Sequence, residues 1–223
     1  MPGTIVVVGF GPGVSTAVAE KFGSEGFSVA LVGRTRERLA AGVRALKAKG
    51  ITSAAYPADA SDPATIRGAI QNARAELGPI AVVHWNAYGA ADAGDLLSAE
   101  PGAVRGAFDV AIVGLLAAVQ EALPDLKVSG EGAVLITNGA FGELGAPMDA
   151  FAVSQKAMGL AVANAAKHKL TGLLAARLKD EGVFVGEVMI AAAVKGTAWA
   201  GREGIEGATI AARFWDLYRA RGE

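Results

Sequence analysis

The chain has 223 residues, a formal net charge of −1, a hydrophobic fraction of 52% and only 19% charged residues, which predicts one domain, residues 1–223, with a large core. The absence of cysteine excludes disulfides and thiol catalysis and fits a cytoplasmic protein. Near-neutral charge gives no footing for nucleic acid as a partner, and no uninterrupted apolar run reaches the ~18 residues of a membrane span, so no membrane association is expected.

The opening MPGTIVVVGFG carries no basic residues before its apolar stretch and reads as a first strand over 4–9, not as a signal peptide. A helix pattern follows over about 14–24. FSVALVG (27–33) is a second strand, and RERLAAGVRALKAKG is a helix closed by Gly50. ITSAAY (51–56) is a third strand. SDPATIRGAIQNARAELG is a helix with a cap at Ser61 or Asp62, Pro63 in its first turn and Gly78 at its end. IAVVHW (80–85) is a fourth strand, and a long apolar helix covers roughly 102–126. GAVLITN (132–138) is a fifth strand, one or two helices fill 149–181, and VFVGEVMIA (183–191) is a sixth. A last helix, IEGATIAARFWDLYRAR, puts Ile210, Phe214 and Leu217 on one packing face. His84 falls inside the fourth strand and reads as a core histidine. It shares no metal-ligand spacing with His168, the other histidine, so no metal site is expected.

Regular βα alternation implies a three-layer, doubly wound parallel sheet (a Rossmann fold) of about six strands with right-handed crossovers. Ligands of such sheets bind beyond the carboxyl ends of the strands. The first of these ends is VGFGPGVSTAVAEKF. Gly9, Gly11 and Gly13 let the backbone turn sharply and approach a pyrophosphate, and the helix opening at Val14 points N–H groups and a positive dipole end at that anion. Glycines between a first strand and its helix are the context of a dinucleotide site.

These residues resemble those of the short-chain dehydrogenases/reductases. Gly9 and Gly13 match the first two glycines of that family's loop, Ser15 stands at the third, and Gly11 is extra. The second strand runs into Gly33, Arg34, Thr35, Arg36 and Arg38, with no acid before Glu37. A guanidinium holds a ribose 2′-phosphate bidentately where a carboxylate would repel it, so the resemblance implies NADP(H), with Arg34 and Thr35 at the phosphate. Arg36 and Arg38 read as helix-surface arginines. PADASD (57–62) is similar to the family's motif in which Asp59 would bind the adenine amino group, while Asp62, beside Pro63, reads as a helix cap. In VVHWNAYGA, Asn86 and Ala87 match the family's Asn-Asn-Ala-Gly segment, and Trp85 and Tyr88 depart from it. VKGT (194–197) is similar to the loop whose threonine, here Thr197, meets the nicotinamide carboxamide.

The family's catalysis uses Ser, Tyr and Lys with a supporting Asn. Here the serine position carries Asn138 and Gly139, with Thr137 the only hydroxyl nearby, and Ala111 stands at the Asn position. If Lys156 is the family lysine, the tyrosine position is Ala152. Counting back from KLTGLLAARLKDEGVFV instead puts Asn164 and Leu160 there, a disagreement of eight residues, or about two helical turns. No tyrosine falls between 89 and 217, so that residue is missing in either register. Lys156 is expected either to bond the nicotinamide ribose or to snorkel from an apolar helix. Tyr88, just past the fourth strand, either donates a proton to a substrate oxygen or lines the cofactor cleft. Two functions follow: an NADP(H)-dependent reductase of a small carbonyl or related acceptor, its proton from Tyr88, Thr137 or water, or an NADP(H)-binding sensor or partner subunit without catalysis. The apolar surplus on 102–126 and 149–170, where the family forms a dimer interface, implies a homodimer or homotetramer.

Overall fold

In the computed structural model, residues 3–89, 93–197, 200 and 204–221 are described. Six parallel strands form one sheet in the order β3-β2-β1-β4-β5-β6. They are β1 (Thr4–Val8), β2 (Ser28–Gly33), β3 (Ser53–Pro57), β4 (Ile80–Trp85), β5 (Ala133–Gly139) and β6 (Phe184–Ile190). β1 and β4 are buried along their whole length, as strands covered on both faces must be. The connections run outward in opposite directions from the β1–β4 pair, so the crevice of the doubly wound fold opens there.

One face is covered by α1 (Val14–Ser24), α2 (Arg36–Ala48) and α8 (Gly207–Ala220), whose Phe22, Leu39 and Phe214 pack on Ile5, Val7 and Leu31. The other face carries α3 (Pro63–Leu77), the long helix Pro101–Val128 and α7 (Met158–Leu178). Trp85, Phe22 and Phe214 are fully enclosed. Each side chain of this kind contributes on the order of 1.5–3 kcal/mol through removal of apolar surface from water.

Two elements differ from the sequence expectation, each for a local reason. β3 begins at Ser53, not at 51, because Ile51 closes α2: its N–H reaches the Leu46 carbonyl behind Gly50 at φ 75°, and its side chain is buried. The long helix is three pieces: α4 (Pro101–Phe108), a π turn (Asp109–Gly114) and α5 (Leu115–Val128). The π turn brings Gly114 so close to the Ala60 carbonyl that a Cβ there would sit 1.9 Å from its oxygen. By length and composition alone this helix would pass for a membrane span, but its Leu115, Ala118, Ala122 and Leu126 are fully buried in the core against the sheet. The segment 149–181 divides into α6 (Ala146–Ser154), a break at Gln155–Ala157, α7 and a final 3₁₀ turn. Among the described residues no seventh strand follows β6, only a single bridge between Val194 and Ile205. At α3 the cap is Asp62, whose carboxylate accepts from the Ala64 and Thr65 N–H groups.

Candidate dinucleotide and active site

The turn after β1 has the shape its glycines predict. Gly9 and Gly13 sit at φ 82° and 86°, a region that strains any side chain. A Cβ on Gly9 would lie 2.5 Å from the Ala87 nitrogen, and one on Gly13 would lie 3.0 Å from the Thr197 methyl carbon. Gly13 also N-caps α1 and has no side chain to occupy the first-turn N–H groups of Val14, Ser15 and Thr16, so those donors and the helix dipole remain directed at the turn. Ser15 is fully buried, and its hydroxyl accepts from the Gly11 N–H and donates to the Gly11 carbonyl, both at 2.9 Å. The serine in place of a third glycine thus ties down the loop without blocking it. Asn86 Nδ2 donates to the Gly9 carbonyl at 3.3 Å and holds the end of β4 under the turn. These features fit a pyrophosphate: backbone donors, a positive helix end and a surface from which side chains are excluded.

Around this turn the polar groups face solvent. Arg34, Thr35 and Arg38 are exposed, and Thr35 N-caps α2 without using its hydroxyl. Arg38, expected to be a surface residue, leans over the loop: its Nη1 lies 3.7 Å from the Cβ position of Gly11. Asp59 accepts from the Ser61 N–H and hydroxyl at 2.9 and 2.8 Å. Those bonds, the Ser61 N–H foremost, hold its carboxyl below the usual range, and the charge of Arg34 adds to the effect. Arg34 and Asp59 are therefore neighbours on either side of the ends of β2 and β3. Thr197 is brought to Gly13 by the 194–197 turn, its hydroxyl donating to the Val194 carbonyl at 2.7 Å.

The reaction side is less like its expectation. Tyr88 follows β4 and is 62% exposed. Thr137 lies on the opposite face of β5 from Asn138. Its hydroxyl is 3.1 Å from His84 Nε2, and His84 packs edge-on against Phe214 of α8. The Thr137 hydroxyl is engaged away from Asn138 and α7, which does not suit it to protonate a ligand. Lys156 is not within a helix: it sits in the α6–α7 break at φ 50°, exposed, with its carbonyl against Gly94. The residue that meets the end of β5 is Asn164, buried in the second turn of α7, where its Nδ2 donates to the Gly139 carbonyl at 3.4 Å. A Cβ on Gly142 would lie 2.7 Å from the Asn164 carbonyl carbon. The sheet-facing register is thus the one counted back from β6, and α6 with its break takes up the extra residues. Ala152, the tyrosine position of the other register, is buried in α6.

Sequence reasoning missed a polar cluster beneath Asn164. Asn138 Nδ2 donates to the Asn164 carbonyl at 3.0 Å and to Glu187 Oε1 at 2.7 Å, and Asn138 Oδ1 accepts from the Gly139 N–H. Glu187 Oε2 is bonded to His168 Nδ1. One turn beyond Asn164 lies Lys167, 3% exposed. Burial pushes its amine down to about 8, with Glu187 pulling the other way. A signal was present: Glu187 is the one charge in the apolar strand FVGEVMI, and a buried carboxylate needs partners.

Relatives agree with the architecture. A model of the short chain dehydrogenase family matches residues 3–199. An oxidoreductase, asL5, of Sarocladium schorii is 29% identical over 188 residues, 82% of this chain and 68% of that protein. The 3-oxoacyl-[acyl-carrier-protein] reductase FabG of Staphylococcus aureus is 25% identical over 171 residues, 76% of this chain and 69% of its own. The solved structure of a short-chain dehydrogenase from Sphingobium yanoikuyae in complex with NADPH superposes with a TM-score of 0.80 at 22% identity, over 98% of this chain and 85% of that one. With the glycine turn, the sheet order and a family match over nearly its whole length in agreement, the chain belongs to the short-chain dehydrogenase family.

Proposed function

We propose that the protein binds NADP(H) across the β1–β4 crevice and reduces a small carbonyl or related acceptor at the ends of β4 and β5. The observation that carries this reading is the Gly9–Gly13 turn, open at the N-terminus of α1, with Arg34 and Arg38 beside it and no acid at the end of β2. The complex of the Sphingobium yanoikuyae relative with NADPH supports the choice of dinucleotide. In such a complex the dinucleotide supplies a hydride to the acceptor carbon. The protein's share is to hold and orient: α1 and the glycine turn at the pyrophosphate, Arg34 at the 2′-phosphate, Asp59 at the adenine edge, Ala87 and Asn86 under the turn, and Thr197 closing over Gly13. Tyr88 is the aromatic at the mouth of the cleft.

A second reading, a nucleotide-binding sensor without turnover, has its own support. Asn138 at the family's serine position uses both its donors internally, and Thr137 is tied to His84. Calorimetric titration with NADPH and NADH, followed by NADPH oxidation over a panel of aldehydes, ketones, quinones and enones, separates the two. Micromolar NADPH binding with turnover of any acceptor rejects the sensor, binding without turnover over the panel rejects the reductase, and flat titrations reject both.

A further inference from the structure

Lys167 differs from every other cation on the structured core. Arg74, the nearest comparison, bonds Asp125 and the side chain and carbonyl of Glu121. Lys167 is more deeply buried, yet among the described residues its nitrogen makes no hydrogen bond and has no carboxylate oxygen within salt-bridge range. Glu187, the charge it feels, has both oxygens engaged by Asn138 and His168. A buried ammonium without a partner is costly to a folded chain. Its nitrogen is also not sealed off: among the described residues the enclosed and unpartnered side-chain nitrogens are His84 Nδ1, Trp85 Nε1 and Arg221 Nη1.

The direction of α7 says where that nitrogen can go. The helix starts at the carboxyl edge of the sheet, where the Met158 and Gly159 N–H groups bond Gly94 and Ala93, and it ends where β6 begins. Helical side chains lean toward the helix N-terminus. A lysine arm of roughly one helical pitch, ~5.4 Å, carries an amine at 167 back to the level of Asn164 and Ala163. Asn164 touches the end of β5, and Ala163 packs on Ala107 and Ala111 of α4 and the π turn. That level is the carboxyl end of β5, the side of the sheet on which ligands of such folds bind.

We infer that Lys167 is the proton donor and the stabilising cation for the substrate oxygen, acting from beneath Asn164. The inference rests on the reductase reading. As the carbonyl carbon receives a hydride from the reduced dinucleotide, the C–O π electrons move onto oxygen. That oxygen takes a proton from Lys167 Nζ, and the neutral amine left behind regains a proton from water. An ammonium held at fixed distance in a dry pocket stabilises the developing oxyanion, and an amine near 8 is well matched to give a proton near neutral pH. The charged groups on elements packed against α7 are Glu187 on β6, Asp109 on the π turn, Arg105 on α4, Asp149 on α6 and Lys179, Asp180 and Glu181 on the 3₁₀ turn that follows it, with His168, Lys169 and Arg177 on α7 itself. Glu187 is the one that acts on this amine.

Two measurements test it. The first is competitive amine labelling of the whole protein across pH 6–11, read by mass spectrometry with and without NADP⁺ plus a carbonyl. Lys167 is expected to react with a midpoint near 8 and to be protected by the ligands, while Lys169, exposed on the same helix, is not protected. A Lys167 that never labels, or labels without protection, overturns the assignment. The second is a variant series on the first acceptor that turns over. Lys167→Met is expected to lose NADPH oxidation by about a hundredfold while keeping NADPH affinity within a few fold, and to melt at or above the wild-type temperature because an unpaired buried charge is gone. Lys167→Arg should shift the alkaline limb of the rate profile upward, and Lys169→Met should change nothing. Wild-type rates in Lys167→Met, or a Tyr88→Phe variant that alone abolishes turnover, would sink the inference and leave the reductase reading standing. A wild type that binds no NADPH defeats the reductase reading first.

Discussion

On the β1–β3 side of the crevice, the proposed nucleotide site is made of what is missing or exposed: glycines without side chains, helix N–H groups without a cap, and arginines in solvent. On the β4–β6 side a cluster of wholly or partly buried polar groups is bonded together, Asn138 to Asn164 and Glu187 and Thr137 to His84, with the exposed His168 at the rim bonded to Glu187 and Lys167 buried without a bond. The first kind of site depends on backbone shape, which many sequences can supply, so it survives divergence. The second depends on the identity of a few side chains, and each replacement forces a new set of partners because buried polar groups must be satisfied.

The largest expected effect breaks the nucleotide half at its geometric centre. Gly13→Val must place a branched side chain at φ 86° and against Thr197 and Val194. NADPH affinity should fall at least about a hundredfold, or ~3 kcal/mol, with the far-ultraviolet circular dichroism unchanged. Affinity within a few fold of wild type would mean that the pyrophosphate is not held at this turn. Next in size is Arg34→Ala. A charge-assisted bidentate contact contributes about 1.5–3 kcal/mol, so NADPH should bind roughly ten- to a hundredfold more weakly while NADH changes little. If Arg38→Ala, and not Arg34→Ala, removes that preference, the arginine over Gly11 is the 2′-phosphate ligand.

These two predictions rest on residues that the sequence already singled out, and the reason is physical. Gly9, Gly13 and Arg34 are marked out by local backbone geometry and position relative to one strand end, both legible in a single βα unit. The six strands and the cap at Asp62 were equally local. Lys156 was read as helical because it lies in a long apolar run. At the break, φ 50°, its carbonyl lies against Gly94, a contact distant in sequence that the run does not reveal. The network of Asn138, Asn164 and Glu187 joins residues 26 and 49 positions apart, and such pairings follow only from the packing of α7 on β5 and β6. Arg38 was assigned to the surface by helical spacing, which is correct for its exposure but says nothing of its neighbour across the loop.

The smallest effect sharpens the comparison at the seam between the two halves. His84 lies in the central strand, wholly enclosed, and burial pushes its imidazole down to about 3 from an ordinary 6.5. The native pKa is the lower one, so between pH 6.5 and 3 the unfolded chain holds one more proton than the native chain. Stability from this group is complete above 6.5 and is lost as pH falls toward 3, with a limiting slope of about 1.4 kcal/mol per pH unit. Urea unfolding between pH 5 and 8 reads it in a window mostly above carboxylate titration. His84→Leu should flatten the slope there, and His168→Gln, which removes the exposed histidine bonded to Glu187, should leave it in place. The converse result would move the acid sensitivity from the sheet centre to the Glu187 cluster.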